Sequence, residues 1–63
     1  MRENLKRVRS ELKYTQEDVA KKLGISRATY TNIELGNKKP SFDLAIKIKK
    51  VFNCKDDEIF LNI

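Results

Sequence analysis

Arg27, Ala28, Thr31 and Asn32 are the residues of this chain whose types and spacing could do chemistry. An arginine can grip guanine through its two major-groove acceptors. An asparagine can pair with the donor and acceptor of adenine, and alanine and threonine methyls can pack on the thymine methyl. On a helix turning about 100° per residue, these four share one face with Leu35. Tyr30 and Ile33 fall on the opposite face. This is chemistry for reading base edges. An exposed polar face is also what simple solvation produces, so the weight of the reading depends on the elements around it.

Bond-making chemistry has little support. There is no histidine and one cysteine, Cys54. A Cys–His pair and an internal disulfide are therefore excluded, and a metal site is not expected. There is no glycine-rich phosphate loop and no plausible carboxylate dyad. Asp56, Asp57 and Glu58 read as the start of a helix. The sequence argues against an enzyme and implies no cofactor.

The elements that must hold the four residues are legible from caps and periodicity. Leu5, Val8 and Leu12 repeat at helical spacing, which predicts a first helix from Glu3 to Lys13. Thr15 is placed to cap a second helix through the amide of Asp18, and Asp18 can reach back to complete a capping box. Glu17 and Asp18 suit the positive end of that helix. Val19, Ala20 and Leu23 face inward, and Gly24 supplies a left-handed stop. Ser26 caps the third helix, with Ile25 and Tyr30 spaced as a hydrophobic staple. Gly36 ends it. Ser41 caps a fourth helix that buries Leu44, Ala45, Ile48, Val51 and Phe52, and Asn53 takes the left-handed position after it. A last short helix is predicted over 56–60. From Gln16 to Leu35 the pattern is two short helices joined by a tight turn, the arrangement of a helix-turn-helix whose second helix lies in the major groove.

At 63 residues the chain has room for one domain, 1–63. So small a core supplies only about 3–5 kcal/mol, so caps or a partner subunit must help. Fourteen Lys and Arg against nine acids give a net charge of +5 and a pI near 9.6. A small basic domain suits a polyanionic partner. The cations concentrate in the first thirteen residues and between Gly36 and Phe52, whereas Asp56, Asp57 and Glu58 make the last stretch acidic. The acidic end is expected to point away from a polyanion. No apolar run approaches about 18 residues, so no membrane span is expected. The start lacks an apolar signal region, and a reducing cytoplasmic setting is the expectation. Cys54 reads as a small buried hydrophobe. Ile46, Ile59, Phe60, Leu61 and Ile63 are more apolar surface than so small a monomer should show, and part of this set is expected to form a homodimer interface.

The segments Thr15–Ala20, Leu23–Arg27 and Tyr30–Gly36, followed by Pro40-Ser41, the Leu44–Ile48 helix and Asp57–Phe60, coincide in register with a known pattern. On these residues the chain resembles the Cro/phage-repressor-type helix-turn-helix family over nearly its whole length. The resemblance implies an all-α, compact five-helix repressor-like DNA-binding domain, its helix-turn-helix formed by the second and third helices. Members usually bind a pseudo-palindromic operator as dimers. The family's base-contacting positions correspond to Ser26, Arg27, Ala28, Thr31 and Asn32. Asn37, Lys38 and Lys39 fall where the family's loop runs along the phosphate backbone. Gln16 has two readings, a phosphate contact at a helix N-terminus or a plain surface glutamine. Arg9 and Glu34 match an ion pair tying the first helix to the recognition helix. Tyr30 is core, with its hydroxyl a candidate for the DNA edge. Arg7, Lys47, Lys49 and Lys50 read as solvated faces. The last helix would begin at Lys55, where the family often has a serine cap.

The expected function is thus a sequence-specific regulator of transcription on double-stranded DNA, most simply a homodimeric repressor. No sensor domain is evident, so control is expected through concentration, autoregulation or a protein antagonist. The alternative is an antitoxin-like protein that reads DNA only in complex with a partner. A third reading, a basic amphipathic peptide for membranes, conflicts with the helix caps and the Arg9–Glu34 match.

Overall fold

The computed structural model describes residues 2–54 and 57–60. Four α-helices follow in order: α1 Glu3–Glu11, α2 Gln16–Leu23, α3 Arg27–Leu35 and α4 Phe42–Val51. A single 3-10 turn, Asp57–Phe60, closes the described chain. The expected fifth helix is therefore not an α-helix. Its expected first residues, Lys55 and Asp56, lie outside the described residues, as do Leu61, Asn62 and Ile63. Among the described residues there is no strand and no helix long and apolar enough to cross a membrane.

Each helix start is set locally. Thr15 accepts the Asp18 amide at 3.0 Å, and the Asp18 carboxylate accepts the Thr15 amide at 2.9 Å. This capping box satisfies two otherwise orphaned N–H groups. Hydrogen bonding from Thr15, its amide first and its hydroxyl next, holds the Asp18 carboxyl below its usual value. Ser26 and Ser41 cap α3 and α4 through the amides of Thr29 and Leu44. Only α1 lacks a side-chain cap.

All four helices end in the same motif, a left-handed residue flanked by a six-to-one and a five-to-two backbone bond. The left-handed residues are Lys13, Gly24, Gly36 and Asn53, with φ of 62°, 72°, 86° and 52°. The six-to-one bonds run from Tyr14 to Arg9, Ile25 to Ala20, Asn37 to Asn32 and Cys54 to Lys49 at 3.1, 3.0, 2.9 and 2.9 Å. The left-handed backbone at Lys13 ends α1 at Glu11 and not at Lys13. Leu12, the last residue before the turn, is 41% exposed and off the core stripe predicted for it.

The core joins every element. Leu5 from α1, Val19, Ala20 and Leu23 from α2, Tyr30 and Ile33 from α3, Ile48 from α4, Phe52, and Ile59 from the last turn are all buried. Val8, Tyr14, Ile25, Leu44, Val51, Cys54 and Phe60 pack around them half-buried. Ala45 lies outside this cluster and lines a surface groove instead. α2 and α3 make the most extensive helix–helix contact, and small Ala20 and glycine-terminated α2 allow it.

Arg2 closes the fold. It is buried, and four backbone carbonyls from three segments accept its N–H groups. Its backbone N–H donates to the Glu34 carbonyl at 2.8 Å. Its guanidinium donates to the carbonyls of Ile33, of Lys38 at 3.1 Å and of Phe60 at 3.0 Å. A cation with a forked donor set is well suited to the electronegative end of α3.

Candidate nucleic-acid interface

The end of α1 and the capped starts of α2 and α3 meet on one side of the molecule. Gln16, the first residue of α2, faces Arg27, Ala28, Thr31 and Asn32 of α3 across a cleft of about 370 Å³. Arg27, Ala28 and Asn32 are exposed, and Thr31 is half-buried at the cleft floor. Leu35 continues the same face and is also exposed. Tyr30 and Ile33 point the other way, into the core. The outward face of α3 is thus a donor-only group, a methyl, a hydroxyl with a methyl, and a carboxamide. That mixture can match the donors, acceptors and methyls of a major groove.

Ser26 stands at the head of this face, but its hydroxyl is engaged. Oγ accepts the Thr29 amide at 3.1 Å and lies 2.8 Å from Thr29 Oγ1. A second cleft adjoins the first, between Arg9, Lys13, Tyr14 and the start of α2 at Thr15–Glu17, and Arg27 borders both. The amides of a helix start and three nearby cations make this cleft suitable for a phosphate.

Gln16 is not a plain surface glutamine. Its Nε2 donates to Glu34 Oε2 at 2.6 Å, and its Oε1 accepts from Thr31 Oγ1 at 3.0 Å. Arg9 Nε holds the other carboxylate oxygen, Glu34 Oε1, at 2.9 Å. Arg9 also donates to the Tyr14 carbonyl at 2.8 Å, which ties the α1–α2 link to the same pair. Glu34 is buried, with its side chain 1% exposed. Ion pairing on one oxygen and a hydrogen bond on the other satisfy both acceptors of this buried side chain.

Tyr30 departs from expectation. Its hydroxyl does not reach the surface; it is buried with no hydrogen-bond partner among the described residues. Burial, and next the Glu34 carboxylate, push its ionisation far above the ordinary range, with Arg9 opposing them.

Beyond α3, Asn37, Lys38 and Lys39 are exposed on a loop whose backbone is pinned. The amides of Asn37 and Lys38 donate to the Asn32 carbonyl at 2.9 and 3.2 Å, and Arg2 holds the Lys38 carbonyl. The side chains therefore project from a fixed base. Arg2 was not anticipated as part of this support, since its contacts lie 31 to 58 positions away and leave no local pattern.

The apolar face differs from the one expected. Ile59 is 3% exposed and belongs to the core, so it is unavailable as an interface. It is drawn inward because the last turn packs on α1. Ile46 and Phe60 are half-buried, and Leu61 and Ile63 lie outside the described residues. Phe42, which the periodicity does not single out, is 80% exposed at the start of α4. Phe42, Ala45, Ile46 and Phe60 line a groove of about 440 Å³ flanked by Lys39 and Lys49.

Comparison with known proteins agrees with this geometry. The helix-turn-helix family pattern matches residues 5–59. The chain is 49% identical over 61 residues to an uncharacterized HTH-type transcriptional regulator of Methanocaldococcus jannaschii, covering 97% of this chain and 92% of that protein. It is 43% identical over 61 residues to another of Archaeoglobus fulgidus, covering 97% and 86%. It is 42% identical over 55 residues to the uncharacterized regulator YqaE of Bacillus subtilis, covering 87% of this chain but 47% of that protein. No solved structure gave a significant match. With its capped α2 and α3 joined by the turn at Gly24 and a family match over nearly all its length, the chain belongs to the Cro/phage-repressor-type helix-turn-helix family.

Proposed function

We propose that this chain is a sequence-specific regulator of transcription that binds double-stranded DNA through α3, acting in the cytoplasm as a single domain. The observation that carries the reading is the cleft where Gln16 meets Arg27, Ala28, Thr31 and Asn32. Every apolar residue of α3 needed for the core lies on the other side, and what remains outward is base-reading chemistry. Ser26, Arg27, Ala28, Thr31 and Asn32 face the bases. Asn37, Lys38, Lys39 and the second N–H of the Gln16 carboxamide face phosphates. Phosphate contacts fix the register and base contacts fix the sequence. Arg9 and Glu34 support the recognition helix from behind.

The regulator works as a homodimeric repressor that occludes a pseudo-palindromic operator. The Phe42–Ile46–Phe60 groove is the surface through which two copies pair, and half-sites one turn of DNA apart require recognition helices about 34 Å apart. The same exposed groove favours a second reading, in which another protein occupies it and DNA is read only in that complex. Selection from fragmented genomic DNA near physiological salt, followed by sequencing, tests both. One two-fold-symmetric sequence enriched by the isolated protein supports the homodimer. An asymmetric single half-site argues against dimeric binding. No enrichment removes autonomous DNA reading and leaves the partner-dependent one.

A further inference from the structure

Thr31, Gln16, Glu34 and Arg9 form one continuous hydrogen-bonded chain from the cleft floor into the interior. Its direction is set at the buried end. Arginine has only donors and stays charged. Glu34, paired with it and buried, offers only acceptors. The Gln16 atom 2.6 Å from Glu34 Oε2 must therefore be the amide nitrogen. That orientation turns the Gln16 carbonyl oxygen toward Thr31, 3.0 Å away. A carbonyl oxygen only accepts, so the single hydroxyl proton of Thr31 is committed to it.

We infer that the Thr31 hydroxyl reads DNA as an acceptor only, taking a hydrogen bond from the exocyclic amine of adenine or cytosine. The inference rests on the reading of α3 as the recognition helix. In the major groove adenine and cytosine present an amine donor, whereas the guanine and thymine edges present acceptors alone. A free hydroxyl could meet either kind. With its proton held by Gln16, Thr31 would meet a keto oxygen lone pair against lone pair. Arg27 is a donor under all conditions and Asn32 carries both functions, so within α3 Thr31 is the base-facing residue whose polarity is decided by another helix. Gln16 is a positioning residue in this scheme. A side chain on α2 and an ion pair behind α3 together choose what a third residue can recognise.

The test uses the full chain and three variants, Thr31→Val, Thr31→Ser and Gln16→Met, each checked for a cooperative thermal transition. Selection with wild type and Thr31→Val identifies the base pair that Thr31 reads. Affinities are then measured on duplexes lacking either the amine of that pair (purine for adenine, 2-pyrimidinone for cytosine) or its keto oxygen (2-aminopurine for guanine, 5-methyl-2-pyrimidinone for thymine). Removing the amine should weaken wild type and Thr31→Ser roughly two- to twelve-fold more than Thr31→Val, the range of one hydrogen bond. Removing the keto oxygen should affect all three proteins alike. Inverting the pair should cost wild type more than Gln16→Met, whose threonine proton is free. A Thr31-dependent loss that follows the keto oxygen overturns the inference. So does a selected sequence that Thr31→Val leaves unaltered, or an inversion cost that Gln16→Met does not reduce. Wild type that selects no sequence overturns instead the reading of α3 on which the inference stands.

Discussion

Arg2 Nε donates to the carbonyl of Phe60 at 3.0 Å, joining positions 58 apart across the end of α3. The same guanidinium also donates to the carbonyls of Ile33, which already takes the Gly36 amide, and of Lys38. Replacing Arg2 by alanine is expected to cost at least about 2–3 kcal/mol, the worth of one good hydrogen bond to a charged group, since the three lost together share one side chain and do not add in full. In a domain of this size that lowers the melting temperature by about 10–20 °C. Circular dichroism melting checks it. Arg2→Lys should recover little, because a point charge cannot span the separated carbonyls. A melting temperature within a few degrees of wild type would remove Arg2 from the framework.

Lys13 occupies a left-handed turn with φ of 62°, where the other helix ends use glycine or asparagine. Lys13→Gly should stabilise the fold by about 0.5–1 kcal/mol, the left-handed penalty less the added chain entropy of glycine. Denaturant titration measures this through a raised midpoint at unchanged slope. A lowered midpoint would show that the lysine side chain contributes more than its backbone costs.

Asp18 makes the start of α2 sensitive to acid. Its carboxyl is held below the usual value by the Thr15 amide first and the Thr15 hydroxyl next. A depressed value in the folded state means stability present above the unfolded value, about 3.9, and lost as pH falls through the folded one. Asp18→Asn should therefore lower stability at neutral pH and reduce the loss on acidification below about pH 4. Unfolding midpoints measured between neutral and acid pH test this. Parallel curves for both proteins would mean the capping box has no proton linkage.

Arg27→Ala and Asn32→Ala should each erase discrimination at one base pair while leaving the melting temperature near wild type, because both side chains are exposed. A good bidentate contact discriminates by about 1–3 kcal/mol. Competition between the selected site and its single-pair variants reads the loss. Wild-type specificity in both variants would move base reading away from α3.

Lys38→Ala with Lys39→Ala should weaken binding to all sequences alike. Each lost phosphate contact flattens the log–log salt dependence by about 0.9. Affinities at several salt concentrations on specific and random duplexes give that slope. An unchanged slope would take the α3–α4 loop off the DNA.

Features governed by neighbours in sequence were legible. Thr15, Ser26 and Ser41 announce helix starts because a cap and its amide are three residues apart. Gly24, Gly36 and Asn53 announce ends because few residue types tolerate the left-handed turn. The outward face of α3 follows from helical period alone. Lys13 misleads because a lysine carries no such signal, and with it the first helix is read too long and Leu12 too deep. Ile59, expected at an interface, is core, and Phe42, which the periodicity does not single out, is exposed; the burial of Ile59 depends on how the last turn docks on α1, which no local pattern records. The bonds of Gln16 to Glu34 and Thr31, and of Arg2 to three carbonyls, are set by tertiary approach, and a polar residue's type does not say which distant partner it will meet.

One guanidinium also couples two surfaces. Arg2 holds the Lys38 carbonyl beneath the proposed phosphate loop and the Phe60 carbonyl beside the apolar groove. A partner that displaces Phe60 would thereby strain the support of Lys38, and DNA that draws Lys38 outward would strain Phe60. Such coupling is reciprocal by thermodynamic necessity. A partner that displaces Phe60 and the grip on the DNA backbone would then oppose each other, so a protein antagonist could release DNA from the groove without approaching α3.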